Sequence, residues 1–259
     1  MSTFWHFDAA ESTTLWGAGL SHHTLIDCEL YLSQKWCEDP ARRVETYIPD
    51  DVSFRTKPQL PKKMVERAYS QGLHPEWVIG DPVYGSWGSR SFLENHQQHY
   101  VLGITSQRRL WIDLRQVRID DNIKDVPEKA WQRYSVGSGT KGERTYDWIS
   151  WAVSMEDEAG NRRYILVRRS ISVPDTYAYF FCYAPEGIST QELAEIAGKR
   201  WKIECCFETL KQETGLDEYE IRSWHGWYRH TTLSMAALSY LSAVRSSCLE
   251  DPPEKKGSS

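Results

Sequence analysis

EWVIGDPVYGSWGSRSFLENHQQHYVLGI, residues 76–104, holds two short apolar runs on either side of a helix-length segment. Trp77-Val78-Ile79 leads into Gly80 and Asp81, and Tyr100-Val101-Leu102 leads into Gly103 and Ile104. Runs with no polar alternation suit strands covered on both faces. Tyr84-Gly85 reads as a turn and 88–98 as a helix. Strand, helix and strand in that order predict an α/β layer. An Asp at the end of a buried parallel strand stands where open α/β sheets bind ligands. A turn-forming Asp before Pro82 is an equal reading of Asp81 taken alone.

Upstream, residues 59–71 place Met64, Ala68 and Tyr69 on one helical face, and Gly72 follows as a stop. Residues 39–57 are charged and carry Pro40, Pro49 and Asp50-Asp51, which predicts a loop or a short helix with turns. His23 to Leu32 alternates with a strand period, whereas 1–22 shows no clear period. Downstream the texture changes. Leu110-Trp111-Ile112, 147–153, 163–168 and 177–183 read as strands, with a polar hairpin turn at 155–162. Helix returns at Ser189 or Thr190, both N-cap candidates with Glu192 after them, and is predicted to run to Thr214 before Gly215. A last helix over 227–246 is apolar on most faces and is expected to be buried. The tail 251–259 is expected to be disordered.

The chain has 259 residues, a net charge of −5, twelve Trp and fourteen Tyr. So many aromatics argue against disorder. The missing basic excess argues against an autonomous nucleic-acid binder, although local basic clusters can still steer a polyanion. Six Cys without a CxxC pair read as free thiols in a reducing compartment. No signal peptide is visible, and the longest apolar stretch, 233–244, is short and broken by Ser234, Ser239 and Ser242. A soluble, cytoplasmic protein is the expectation, nucleoid-associated if bound to DNA, with no membrane partner.

Within Arg200-Trp201-Lys202-Ile203-Glu204-Cys205-Cys206-Phe207-Glu208-Thr209-Leu210-Lys211, helical spacing puts Arg200, Glu204, Glu208 and Lys211 on one stripe. A salt-bridged solvated face explains such a stripe on an arbitrary helix. Together with Asp81, however, it resembles the C-terminal signature of DDE-superfamily insertion-sequence transposases, in the group marked by Tyr-x2-Arg-x3-Glu-x6-Lys. Arg200, Glu204 and Lys211 stand at that spacing, while Ala197 occupies the Tyr position. The likeness continues through GLDEYEIRSW, residues 215–224, and Gly226-Trp227-Tyr228-Arg229-His230. Gly80-Asp81-Pro82-Val83-Tyr84-Gly85 is similar to the group's second-Asp motif, and 25–32 to the stretch between its first and second Asp.

The resemblance implies an RNase H-like α/β core with a β-rich insertion between the second Asp and the Glu. It also implies phosphoryl transfer on DNA assisted by Mg²⁺ or Mn²⁺, with two ions about 3.5–4 Å apart. Asp81 and Glu204 would be the catalytic metal ligands. Arg200, Lys211, Arg222 and Arg229 would be DNA-binding residues, with transposon ends as the partner and a homodimer left open.

The family's first Asp belongs to an Asp-Asp-Thr-Gly type motif well ahead of 25–32, and residues 1–22 contain none. Asp8 lies close to Asp27 and its flanks do not alternate, and Asp27 sits inside a strand in the wrong place. The expectation is therefore a fragment with an incomplete core: 1–22 outside the family pattern, 23–108 the first part of the core, 109–185 the insertion, 186–248 the helical end and 249–259 the tail. It would be inactive for want of the first Asp. An active nuclease with a substitute acid, and an unrelated α/β enzyme with its pocket elsewhere, are the competing readings.

Gly137-Ser138-Gly139-Thr140-Lys141-Gly142 matches GxGxxG by letter but precedes a strand rather than a helix, so a flexible loop is the better reading. Arg162-Arg163 and Arg168-Arg169 flank one strand and suit a phosphate backbone or a solubilised edge about equally. Trp148, Trp151, Tyr177 and Tyr179 alternate within strands and are assigned to core packing, and the scattered His to the surface.

Overall fold

The computed structural model describes residues 4–8, 12–18, 23–112, 115–139, 142–153, 157–220 and 222–250. Its strands are β1 (Phe4–Asp8), β2 (Ser12–Ala18), β3 (His23–Leu30), β4 (Trp77–Gly80), β5 (Tyr100–Ile104), β6 (Arg109–Ile112), β7 (Arg115–Arg118), β8 (Gln132–Gly139), β9 (Gly142–Ala152), β10 (Asn161–Arg169) and β11 (Tyr177–Pro185). Its helices are α1 (Gln34–Cys37), α2 (Pro40–Glu45), α3 (Gln59–Ser70), α4 (Trp87–Asn95), α5 (Ile119–Lys124), α6 (Thr190–Gly198), α7 (Trp201–Thr214) and α8 (Trp224–Glu250).

One mixed sheet of nine strands runs β3-β2-β1-β4-β5-β11-β10-β9-β8. The β4–α4–β5 unit is parallel, as the apolar runs predict, and β1 lies parallel to β4 on its other side. The remaining pairs in this sheet are antiparallel. One expectation changes here. Residues 4–8 and 12–18 are strands, so the sheet does not lack the strands that pair beside β4. Within the β-rich stretch, β8 to β11 continue the sheet outward from β5. Among the described residues, β6 and β7 form a separate hairpin.

The strand period of two sorts side chains between two cores. Val78, Tyr100, Leu102, Ile165, Val167, Phe181 and Tyr183 face one way, against Met64, Val65 and Ala68 of α3, Leu93 of α4, and Ile119 and Ile123 of α5. Trp77, Ile79, Val101, Leu166, Phe180 and Cys182 face the other way, against Leu193, Ala194, Ile196 and Ala197 of α6. Helices on both faces explain why β4 and β5 carry no polar alternation.

Asp147 ties three strands together. Its carboxylate accepts hydrogen bonds from Arg133 on β8 at 2.8 Å and from Arg169 on β10 at 2.9 Å. The Arg133 bond, with help from Arg169 and against the push of burial, holds its carboxyl below the ordinary 3.8. A carboxyl whose pKa falls on folding adds stability above its unfolded pKa and loses it as pH falls through the folded one. Urea midpoints of the parent chain should therefore drop more steeply between about pH 5 and pH 2 than those of Asp147→Asn. Parallel acid limbs would show that the bridge contributes nothing.

Ser189 caps α6 in a reciprocal capping box with Glu192, and Gly215 ends α7 with φ +63°, both as the sequence predicts. The last helix departs from expectation. One stripe of α8, including Thr231, Ser234 and Leu238, is buried, and Leu238 packs with Leu25 of β3 and Ile203, Cys206 and Leu210 of α7. Leu233, Tyr240, Leu241 and Val244 on its remaining faces are exposed. No helix among the described residues is long and apolar enough to cross a membrane. The GxGxxG-like run forms the β8–β9 hairpin end, where Gly139 pairs with Gly142, and its Thr140 and Lys141 lie outside the described residues. The tail 251–259 lies outside them too.

Candidate active site

Asp81 follows the last residue of β4 and opens a tight turn. The Tyr84 amide donates to the Asp81 carbonyl at 2.9 Å, and the Gly85 amide to the Pro82 carbonyl at 3.3 Å. The turn lies directly on β5. A Cβ at Gly85 would stand 2.1 Å from the Gly103 carbonyl oxygen, and a Cβ at Gly103 would stand 2.8 Å from Pro82 Cδ. Only glycine at both positions allows this approach, and the approach fixes where Asp81 leaves the sheet.

The helix predicted over 189–214 is two helices. At the junction the amides of Lys199, Arg200, Lys202 and Ile203 each bond three residues back, the tighter 3₁₀ pattern. Gly198 presses on β8, where an added Cβ would come 2.4 Å from the Val136 Cβ. Arg144 of β9 donates to the Gly198 carbonyl at 3.2 Å and to the Val136 carbonyl at 2.7 Å. Its guanidinium also lies over the Trp201 ring, 4.9 Å from the centroid. The junction turns Arg200 and α7 toward the end of β4.

Arg200 then joins the two predicted acids. Its Nη1 donates to Asp81 Oδ1 at 2.5 Å and its Nη2 to Glu204 Oε1 at 3.5 Å. Asp81 and Glu204, far apart in sequence, thus converge on one guanidinium. The Asp81 side chain is 24% exposed and that of Glu204 56%, so the pair is open to solvent on one side. Arg200, expected on DNA, is here the partner of both acids. Lys211 is exposed on α7, on the stripe of Glu204. Arg222 and Arg229 are exposed ahead of α8 and in its second turn, and among the described residues neither forms a salt bridge with Asp81 or Glu204.

Asp27 belongs elsewhere. It accepts from Arg67 Nε at 3.0 Å and from Arg67 Nη2 at 2.7 Å, on α3 across the opposite face of the sheet. The chain position of Asp8 is different. Phe7 pairs with Gly80 in the parallel β1–β4 register, so residues 8 and 81 come next on adjacent strands. Among the described residues no group of three or more His, Cys, Asp or Glu is placed to hold a metal ion. The two acids that converge are nonetheless oxygen donors of the kind hard divalent cations require.

Arg168, read from the sequence as suiting a phosphate backbone or a solubilised edge, joins this neighbourhood together with Arg144. Arg168 on β10 lies over the Tyr146 ring, 4.5 Å from its centroid. Its sequence signal is parity. It falls two residues after Leu166 and four after Tyr164, on the face those apolar side chains bury toward α6.

A family model described as DDE superfamily endonuclease matches residues 11–141. That match includes Asp81 and the β-rich stretch as far as the β8–β9 hairpin, and stops short of Glu204. Among solved structures, the cryo-EM structure of a piggyBac transposase synaptic complex with hairpin DNA is similar at 12% identity, with a TM-score of 0.42. The alignment covers 98% of this chain and 49% of that one, so this chain spans about half the length of that transposase. No curated protein matches the chain. With the family model spanning just over half of its 259 residues, the chain belongs to the DDE superfamily endonucleases.

Proposed function

We propose that this chain carries the catalytic core of a DDE-type DNA transposase of insertion-sequence type and cuts DNA by metal-dependent phosphoryl transfer. The observation that carries this reading is the convergence of Asp81 from the end of β4 and Glu204 from α7 on Arg200. The sheet order supports an RNase H-like core: a β1–β2–β3 meander followed by parallel β4 and β5, with Arg200 at the start of α7 reaching Asp81 beyond the end of β4. On this reading residues 109–185, from β6 to β11, are the insertion between the second acid and the third.

Asp8 is the candidate first acid. Residues 6 and 79 are register partners, so positions 8 and 81 share the face toward which Ile79 points, the face of α6. On this reading Asp8 supplies the first acid whose absence would make the chain inactive, and a triad of Asp8, Asp81 and Glu204 is the arrangement the register favours. These three would hold Mg²⁺ or Mn²⁺. When bound, the metal would activate the attacking oxygen and stabilise the leaving one.

The chain's own groups have separate tasks. Asp81 and Glu204 supply negative charge on one side of the site, and Arg200 keeps them aligned. Lys211, Arg222 and Arg229 offer exposed cations to the DNA backbone. In hydrolysis a water oxygen attacks a backbone phosphorus and the bond from phosphorus to O3′ breaks. The O3′ takes up a proton, leaving a 3′-hydroxyl and a 5′-phosphate. A 3′-hydroxyl attacking in place of water would join strands at transposon ends. The test is incubation with supercoiled plasmid. Nicked circles should accumulate with Mn²⁺ or Mg²⁺ and be absent with excess EDTA. Nicking that survives the chelator would overturn the metal-dependent reading.

A further inference from the structure

Four arginines project from β10, and three face carboxylates. Arg162 meets Glu186 at 2.7 Å, Arg163 meets Glu94 at 2.6 Å, and Arg169 meets Glu128 and Asp147 at 2.6 and 2.9 Å. Arg168 forms no ion pair among the described residues. It stacks on Tyr146; burial first, then Arg200 and Arg144, push its guanidinium below its ordinary pKa, against the opposing pull of Tyr146. Arg144 spends donors on the carbonyls of Gly198 and Val136, and neutralises no carboxylate in a salt bridge among the described residues. Three guanidiniums thus gather beside two carboxylates. An excess cation withdrawn from water is costly unless an anion meets it.

We propose that Arg168, flanked by Arg144 and Arg200, is a phosphate-binding site that seats a backbone phosphate of the DNA strand next to Asp81 and Glu204. Stacking on Tyr146 orients the planar guanidinium while its in-plane N–H groups stay available, the geometry in which arginine grips phosphate. The inference rests on the proposed function, since it takes the phosphate to be that of a DNA substrate. Its placement explains why a chain of net charge −5 could still hold a polyanion: the positive charge is local and lies beside the acids.

The test is binding of a fluorescein-labelled duplex of random sequence by anisotropy, over a salt series in EDTA, so that no cleavage is required. Arg168→Gln should weaken binding about tenfold at low salt and flatten the slope of log K against log salt by about 1. Arg168→Lys should keep most of the affinity. Arg245→Gln, an exposed cation near the far end of α8, should change neither quantity. Without DNA, Arg168→Gln should melt no lower than the parent. An unchanged affinity and slope in Arg168→Gln would overturn the site. So would a lowered melting temperature in Arg168→Gln with binding also lost in Arg168→Lys, which would make Arg168 a packing residue. A parent chain stabilised by inorganic phosphate through Arg168, with the DNA slope unchanged by Arg168→Gln, would assign the site to a free ion instead. Loss of the Asp81–Glu204 chemistry in the plasmid assay, with these binding results intact, would remove the catalytic reading and leave the phosphate site.

Discussion

Asp8→Asn is expected to abolish metal-dependent plasmid nicking as fully as Asp81→Asn, each by on the order of a thousandfold or more. The reasoning starts from the register. Phe7 pairs with Gly80 in parallel, so positions 8 and 81 follow at the same ends of neighbouring strands. An amide in place of a carboxylate removes the charge that a hard divalent cation requires while keeping the side-chain shape. A ligand lost from a metal clamp forfeits several kcal/mol of charge stabilisation, and each 1.36 kcal/mol is about tenfold in rate. Asp27→Asn is the contrasting variant. Asp27 is engaged with Arg67 on the opposite face, so that change should lower stability and spare the chemistry at any temperature where the chain stays folded. Parent-like nicking by Asp8→Asn would return the site to two acids and restore the expectation of an incomplete core.

Gly85→Ala should cost about 3 kcal/mol of folding stability, near the upper end for overpacking. The new methyl would stand 2.1 Å from a backbone oxygen of β5 and 3.0 Å from Ile104 Cγ2. A side chain in the way can rotate, but a strand carbonyl paired into a sheet cannot. In a chain of this size the loss corresponds to a fall in melting temperature of about 6–12 °C. Chemical denaturation followed by tryptophan fluorescence measures it, and a loss below about 1 kcal/mol would mean that the turn relaxes away from β5. Nicking at low temperature should fall as well, since any relaxation moves Asp81, and small displacements of positioned groups are expensive for catalysis.

The parts of the fold legible in the sequence are those where local chemistry and tertiary surroundings agree. Trp77-Val78-Ile79 ending on Asp81, the capping box at Ser189 and the stop at Gly215 each state their role within a few residues. Arg200, Glu204 and Lys211 fall on one stripe because helical spacing alone puts them there. Residues 4–8 are a different case. FWHFD lies between β2 and β4 in the sheet, and its lack of a period did not exclude a strand there. Its place is set by β4, whose partner residues come some seventy positions later. The break before α7 was equally hidden, because it follows from Gly198 pressing on Val136 of a distant strand. Arg168 was visible as a charge, but its meaning depends on its parity with Leu166 and on the arginines that tertiary contact brings to it.

The pairing of β5 with β11 also sets the order of assembly. Residues 100–104 find their β4 neighbour close at hand, whereas their other partner, 179–183, follows after the β6–β7 hairpin and the strands β8 to β10. Closing so long a loop costs entropy before any contact repays it, so such pairings form late and slow the search for the native state. During synthesis β5 therefore emerges with one open hydrogen-bonding edge in an apolar setting, the kind of surface that recruits a second chain. Addition of β11 is therefore expected to follow formation of the early β–α–β unit.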